Sequence, residues 1–324
     1  MRRALIVGID HYKGGPLKAS INDAKNIYKV LSRNDDNSVN FDCRIMTSTE
    51  EPKITVRQLK KEIFDLLYQE AEVAVLYFSG HGASTEFGGY LVTQDSMKYQ
   101  EGVSLDEILT LANTSKVNEV IIILDCCFSG KLGNLKGIGN RTALLREGVS
   151  ILTSSRDTQK SYEKVVEDED DKKTENVFTS IIIDALSGGA ADILGNVNVT
   201  GMYNYINQLL TTWEQRPILK SHISKMVSVR KCKPKIELEK LREITTYFKT
   251  KDFQYQLDPT FDKDIDPSNE ENQKIMEDFR EYYKLELLVP SKEKYMYYAA
   301  KNSDTCKLTN KGQYFWDMVK YNRV

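Results

Sequence analysis

Residues 73–82 read VAVLYFSGHG, and residues 120–130 read VIIILDCCFSG. Each is an unbroken apolar run rich in β-formers that gives way to a short polar cluster containing glycine. A run without polar alternation needs cover on both faces, which is the mark of a central strand in a parallel sheet. Two further runs, 4–9 (ALIVGI) and 149–153 (VSILT), have the same character. Helix-period segments lie between them. Residues 22–31 place Ala24, Ile27, Tyr28 and Leu31 on one face, and 55–68 do the same with Leu59, Ile63, Leu66 and Leu67. Strands alternating with amphipathic helices predict an α/β fold, a mostly parallel sheet flanked by helices.

Local signals refine this outline. Thr55 is the expected N-cap of the second helix, while Ser104 precedes a shorter helix, 105–112, with Glu107 at the capping-box spacing. A helix over 177–186 ends at Gly188 and Gly189, an amphipathic stretch covers 202–213, and a last strand is expected near 225–229. Two long loops stand out: 131–148, with four glycines and scattered basic residues, and 156–176, with the charge run EDEDDKK at 167–173. The basic, proline-bearing stretch 230–235 reads as a linker and divides the chain into residues 1–230 and 231–324.

Composition narrows the functional classes. The 324 residues are 40% hydrophobic and 28% charged, with 45 basic against 47 acidic side chains, so the chain is globular and nucleic acid gains no global attraction. No run approaches 18 apolar residues, and the opening MRRALIVGID holds too short an apolar run for a signal segment, so no membrane association is expected. Five cysteines, two of them adjacent, cannot form a regular disulfide framework. Reduced thiols in a cytoplasmic protein are expected.

In an open parallel sheet, functional groups gather beyond the carboxyl ends of the strands. Three of these ends are polar: Asp10 and His11, then Ser79 to Gly82, then Asp125 to Gly130. One supplies a histidine between two glycines, which let the backbone turn and a substrate approach; another supplies two thiols. A thiol with an ordinary pKa of about 8.5 needs a neighbouring base to become a nucleophile at neutral pH, and His81 is available.

With SGHG followed by D-x-C-x-S-G, preceded by VGIDHY and LKASINDA, roughly the first 230 residues resemble the caspase-like cysteine peptidases. Within them the chain is most similar to the metacaspase and bacterial orthocaspase branch. The resemblance implies a caspase-like sheet, Cys127 as nucleophile, His81 as base, and the amides of Gly82 and Cys127 as oxyanion hole. Cys126 fills the variable motif position and is expected to be a buried thiol; His11 is expected at the rim or in packing, and His222 outside the site. No third orienting residue is evident. Asp23 and Asp125 match the acidic pocket positions of metacaspases, and Ser79 a third one, so cleavage after Arg or Lys is expected rather than after Asp. No cofactor is expected. The acidic run at 167–173 reads as a solvated face, with Ca²⁺, which some metacaspases need, as the alternative. Lys131, Lys136, Arg141 and Arg146 are candidate self-cleavage positions.

The C-terminal segment predicts a helix over 236–248, a second over 269–283, strands near 286–289 and 295–299, and a last helix over 310–321. The pattern resembles the winged-helix modules of bacterial conflict-system effectors, giving a small α+β winged-helix-like domain. Its acids and bases nearly cancel, so a regulatory protein is the expected partner rather than DNA. Tyr295, Tyr297, Tyr298, Tyr314, Phe315 and Trp316 are expected mostly in the core. Together these readings give a cytoplasmic cysteine endopeptidase acting on protein substrates after Arg or Lys. The family analogy sets it in bacterial defence or programmed cell death, activating an effector such as a pore-forming protein. Two alternatives stand beside it: a regulatory adaptor working through the C-terminal domain, and an Asp-specific protease of the caspase type.

Overall fold

The computed structural model describes residues 1–126, 128–129, 145–154, 163–168, 171–210 and 217–324, with the backbone only at 128–129, 163–168 and 171–173. Cys127, Lys131, Lys136 and Arg141 lie outside the described residues. Two compact units emerge, Met1–Lys233 and Pro234–Val324.

The first unit runs β1 (Arg2–Gly8), α1 (Ser20–Ser32), β2 (Asp42–Thr47), α2 (Val56–Tyr68), β3 (Val73–Ser79), β4 (Gly82–Thr85), β5 (Gly88–Met97), β6 (Gln100–Ser104), α3 (Leu105–Thr114) and β7 (Glu119–Asp125). It continues with β8 (Phe128–Ser129), β9 (Val149–Thr153), β10 (Glu163–Asp168), β11 (Asp171–Asn176), α4 (Val177–Asp184), β12 (Asn196–Val197), α5 (Val199–Leu209), β13 (Ile218–His222) and β14 (Arg230–Lys231). The main sheet has the order β13, β9, β7, β3, β1, β2. Only β13 is antiparallel. Every residue of β3 and β7 is buried, as their unbroken apolar runs require.

Because successive strand residues face opposite sides, the sheet splits its core in two. Leu76, Phe78, Ile122 and Leu124 pack with Leu59, Ile63, Ile108 and Leu109 of α2 and α3. Val75, Tyr77, Ile121 and Ile123 pack with Ile27, Phe178, Ile182 and Ile206 of α1, α4 and α5. Truncating one of these aliphatic side chains to alanine costs about 2–5 kcal/mol. The mostly parallel, helix-flanked sheet expected from the sequence is the observed one.

Several local expectations change. The capping box forms at Thr55, whose hydroxyl accepts from Gln58 N while Gln58 Oε1 accepts from Thr55 N. Ser104 makes no capping bond, and Glu107 pairs instead with Lys60 at 2.7 Å. The last strand of the sheet is 218–222, not 225–229. Residues 156–176, expected as a loop, contain the antiparallel hairpin β10–β11. An unexpected second sheet, in the order β6, β5, β4, β8, follows the SGHG turn, and β2 extends the main sheet. These strands are short or half-exposed, so they lack the long apolar run that marks a buried strand.

The stretch expected as a linker begins as anchored structure. Arg230 is buried, donates to the carbonyls of Arg33 and Leu186, and pairs with Asp35 at 2.7 Å.

The second unit comprises α6 (Leu238–Arg242), α7 (Ile244–Tyr247), β15 (Gln254–Gln256), α8 (Glu270–Lys284), β16 (Leu288–Pro290), α9 (Met296–Lys301), β17 (Thr305–Leu308) and α10 (Asn310–Lys320). Its antiparallel sheet has the order β15, β17, β16. Phe248, Tyr255, Phe279 and Tyr282 form an aromatic core. The expected strand at 295–299 is the helix α9, because Met296, Ala299 and Ala300 are buried at helical spacing. The partner of β16 is β17, and their connection contains α9 rather than a tight wing turn. The helix expected over 236–248 is divided into α6 and α7. Tyr295, Tyr297, Tyr298 and Tyr314 are exposed rather than core, whereas Trp316 is buried and donates to Phe248 O at 2.6 Å.

Candidate active site

β3 ends at Ser79, and the chain then turns through Gly80 to His81. The turn is tied to its neighbour by Gly80 N donating to Asp125 O at 3.3 Å. Glycine is required at 80 by close approach: a Cβ there would stand 2.5 Å from the Tyr12 hydroxyl. That hydroxyl accepts from His81 N at 3.0 Å and donates to Val92 O at 3.2 Å. Burial pushes the Tyr12 phenol well above its ordinary pKa, so it keeps the proton that it donates. The Tyr12 and His81 rings lie 4.5 Å apart.

His81 Nε2 stands 2.6 Å from the carbonyl oxygen of Gly15. A carbonyl only accepts, so Nε2 carries a hydrogen and Nδ1 of the neutral ring is the basic nitrogen. Gly15 has φ +150°, and a Cβ there would lie 3.5 Å from Nε2. The orienting partner absent from the sequence reading is therefore a backbone carbonyl. Every residue has one, so the residue types could not reveal it; the only hint is the Gly14-Gly15-Pro16 turn.

The second half of the site lies at the ends of β3 and β7, where Ser79 and Asp125 are register partners. Asp23 approaches from the first turn of α1. Its Oδ2 accepts from Asn176 Nδ2 at 2.7 Å and from Ser79 Oγ at 3.4 Å, and its Oδ1 accepts from Asn176 N at 3.3 Å. Asp125 Oδ2 accepts from Thr179 Oγ1 at 2.6 Å. Asp23, Ser79 and Asp125 are 0%, 0% and 3% exposed, so all three are removed from water. Burial pushes both carboxyl pKa values up, and Asp23 rises further because it also faces Asp125. Among the described residues, no Lys, Arg or His pairs with either carboxylate. Asn176 and Thr179 were missed by the sequence reading. Their only signal was two polar residues at the start of an apolar helix, a pattern that ordinary capping also produces.

Next to these two halves runs the chain that carries the motif thiol. Cys126 is buried in the core cluster on the α2 and α3 side of the sheet. Two residues on, Phe128 pairs in parallel with Gly82, which brings the backbone after β7 beside the SGHG turn. His11 lies outside this cluster, with its N and Nδ1 both 3.1 Å from Ser48 Oγ. His222 sits on the edge strand β13, with Nδ1 3.1 Å from Leu145 O. Arg146, one of the candidate self-cleavage positions, is held by the carbonyls of Ala112, Val117 and Glu147. Cutting after it would require breaking all three bonds. Of the acidic run at 167–173, residues 167–168 and 171–173 belong to the hairpin strands and are described by backbone only, and 169–170 lie outside the described residues. Among the described residues, no cluster of three or more potential metal ligands occurs, and no helix is long and apolar enough to cross a membrane.

Residues 1–228 match the family described as Caspase domain. No curated protein matches the sequence. Among solved structures, the chain is similar to caspase-1 from Spodoptera frugiperda, with 13% identity and a TM-score of 0.51, over 71% of this chain and 90% of that one. It is also similar to a protein from Geobacter sulfurreducens, with 13% identity and a TM-score of 0.50, over 72% of this chain and 97% of that one.

Proposed function

The chain belongs to the caspase-domain family and is a cysteine peptidase, and from that premise we propose that it is an endopeptidase cutting proteins after Arg or Lys, with Cys127 as nucleophile and His81 as base. The observation that carries the specificity is the buried pair Asp23 and Asp125, gathered with Ser79 beside the His81 turn and lacking a described basic partner. Two desolvated carboxyls without a cation favour an incoming guanidinium or ammonium group and reject a third carboxylate. An Asp side chain in the substrate is disfavoured on charge, which argues against the Asp-specific alternative.

In the proposed mechanism, Nδ1 of His81 takes the proton of the Cys127 thiol while Nε2–H stays on Gly15 O. The thiolate attacks the scissile carbonyl carbon, and the amides of Gly82 and Cys127 receive the developing oxyanion. The imidazolium returns its proton to the leaving amine as the C–N bond breaks, and water then hydrolyses the thioester. The pairing of Gly82 with Phe128 supports this assignment, since it joins the oxyanion strand to the backbone after β7.

The reading extends to regulation and context as proposals. Self-cleavage rests on Lys131, Lys136 and Arg141, given how Arg146 is tied down. A Cys127→Ala protein clipped like the wild type during purification would remove it. The segment 234–324 is proposed to bind a regulatory protein, supported by its exposed Tyr295, Tyr297, Tyr298 and Tyr314. By family analogy the enzyme acts in bacterial defence or cell death by cutting an effector.

The deciding experiment is hydrolysis of fluorogenic peptides with Arg, Lys or Asp before the scissile bond, with and without Ca²⁺, using wild type, Cys127→Ala and Cys126→Ala. Cleavage after Arg or Lys that disappears only with Cys127→Ala is expected. Loss with Cys126→Ala alone would transfer the nucleophile to the neighbouring thiol. Preference for Asp would overturn the pocket.

A further inference from the structure

Asn176 is the N-cap of α4, a position where an asparagine side chain ordinarily accepts a hydrogen bond from the helix's own first turn. Here it makes no such bond. Its amide donates instead to Asp23 Oδ2 at 2.7 Å and to Ser79 Oγ at 3.4 Å. Three residues on, Thr179 is wholly buried and spans two groups. Its hydroxyl donates to Asp125 Oδ2 at 2.6 Å and lies 2.6 Å from the Tyr77 hydroxyl. A threonine hydroxyl has one hydrogen, and it is committed to a carboxylate, so Tyr77 must be the donor in the second contact. The proton order is Tyr77 to Thr179 to Asp125. Burial holds the Tyr77 phenol well above its ordinary pKa, so the first donor in the chain stays protonated.

We propose that the first turn of α4 completes the specificity pocket, with Asn176 and Thr179 as positioning residues for Asp23 and Asp125 and the relay from Tyr77 through Thr179 keeping Asp125 in the charged form that a basic substrate side chain needs. This rests on the Arg or Lys reading of the pocket and deepens it.

The physical reason is a conflict that the relay resolves. Two buried carboxyls disfavour each other's ionisation, and burial disfavours both. A neutral pair would offer a guanidinium no counter-charge. A hydrogen bond donated to a carboxylate lowers its pKa, so the Thr179 hydroxyl, with the Thr179 amide beside it, helps Asp125 to ionise before Asp23, which burial and the charge of Asp125 hold protonated. Asp23 is the proton holder, raised both by burial and by Asp125. The titratable groups facing this pair among the described residues are Tyr77 from β3 and Glu175 from β11, and neither is a base that could bring a positive charge. The pocket then holds one negative charge at neutral pH, matched to one cation. Asn176 ties Asp23 and Ser79 to the end of the hairpin β10–β11, whose base is fastened to α1 by Asn26 Nδ2 donating to Glu175 Oε1 at 2.9 Å.

The test compares wild type with Thr179→Val and Thr179→Ser in the full chain. KM and kcat are measured separately for an Arg-ended fluorogenic peptide from pH 5 to 8. In the wild type KM should fall as pH rises and Asp125 ionises. Thr179→Val removes the donor, so that fall should move up by about one pH unit, with KM about fivefold higher at the wild-type midpoint and kcat within about twofold. Thr179→Ser should restore the wild-type profile. A folded Thr179→Val enzyme with an unmoved KM profile, or one that loses kcat alone, overturns the relay. If Thr179→Val does not fold by circular dichroism, Tyr77→Phe carries the test, with a smaller shift in the same direction expected and no shift overturning the proposal. Calorimetric binding of benzamidine, an amidinium probe, over the same pH range gives the same readout without turnover. Wild type that neither binds benzamidine nor prefers Arg or Lys refutes the pocket reading and the inference with it; wild type that does both, with unshifted variants, refutes the inference alone.

Discussion

The two described halves of the site are built differently. The base half is a turn held by separate hydrogen bonds to four neighbours: His81 rests on the Gly15 carbonyl, the Tyr12 hydroxyl and the Val92 amide, and Gly80 on the Asp125 carbonyl. The acid half is part of the core, where Asp23, Ser79 and Asp125 are shut away from water and bonded to the N-cap and the first turn of α4. A turn on a few contacts can adjust during a reaction, whereas a buried hydrogen-bonded cluster is fixed before the substrate arrives. On the proposed reading, the difference matches turnover to the first half and recognition to the second.

The most severe way to probe that division is to remove the chemistry itself. Cys127→Ala should reduce kcat/KM by on the order of 10⁴-fold or more, and His81→Ala by about 10²–10⁴-fold, with binding of an Arg-ended peptide preserved in calorimetry. If either substitution abolished peptide binding instead, the halves would not be separable. Next in size, Asp125→Asn should raise KM for Arg and Lys peptides by about 10²-fold while kcat stays within a few-fold, because the lost charge acts on the substrate side chain and not on the scissile bond. A loss confined to kcat would break the comparison from the acid side.

Gly15→Ala sharpens it from the base side. The backbone there has φ +150°, so a side chain costs about 1–3 kcal/mol of strain, and the shifted carbonyl no longer fixes the His81 tautomer. We expect kcat to fall about 10- to 100-fold with KM unchanged, read in the same peptide assay.

The smallest expected effect concerns stability. Both acids have pKa values raised in the folded state, so the fold binds protons that the unfolded chain releases. Their protonated forms are best tolerated at low pH, and stability declines as pH rises above the ordinary carboxylate value of about 3.9 and the buried groups ionise. Asp23→Asn should therefore flatten the fall of Tm between neutral and alkaline pH, giving a more stable enzyme that keeps the charge of Asp125. A Tm profile identical to wild type would show that Asp23 bears no ionisation penalty.

The sequence marked the strands that bury both faces. The runs at 73–78 and 120–124 became the centre of the sheet, because a strand covered on both sides needs no polar residue and so leaves an uninterrupted signal. The strands of the second sheet and β2 left no such run, since half-exposed edges tolerate polar side chains at many positions. The Glu107 capping box failed for a related reason: the spacing was right, but a lysine on α2 offered the carboxylate a better partner. In the second unit, helical burial of Met296, Ala299 and Ala300 prevailed over the β-propensity of the tyrosines around them.

By itself, then, the sequence determined the parallel α/β core and which strand ends carry the histidine, the thiols and the acids, because these follow from short-range pattern and from residue type. Only the tertiary structure decided which nitrogen of His81 is basic, that Asp23 and Asp125 meet, and that α4 holds them both. Each of those facts depends on contacts between residues far apart in the chain: His81 with Gly15, Asn176 with Asp23, and Thr179 with Asp125. A backbone carbonyl has no letter of its own, and burial of a charge is a property of everything packed around it.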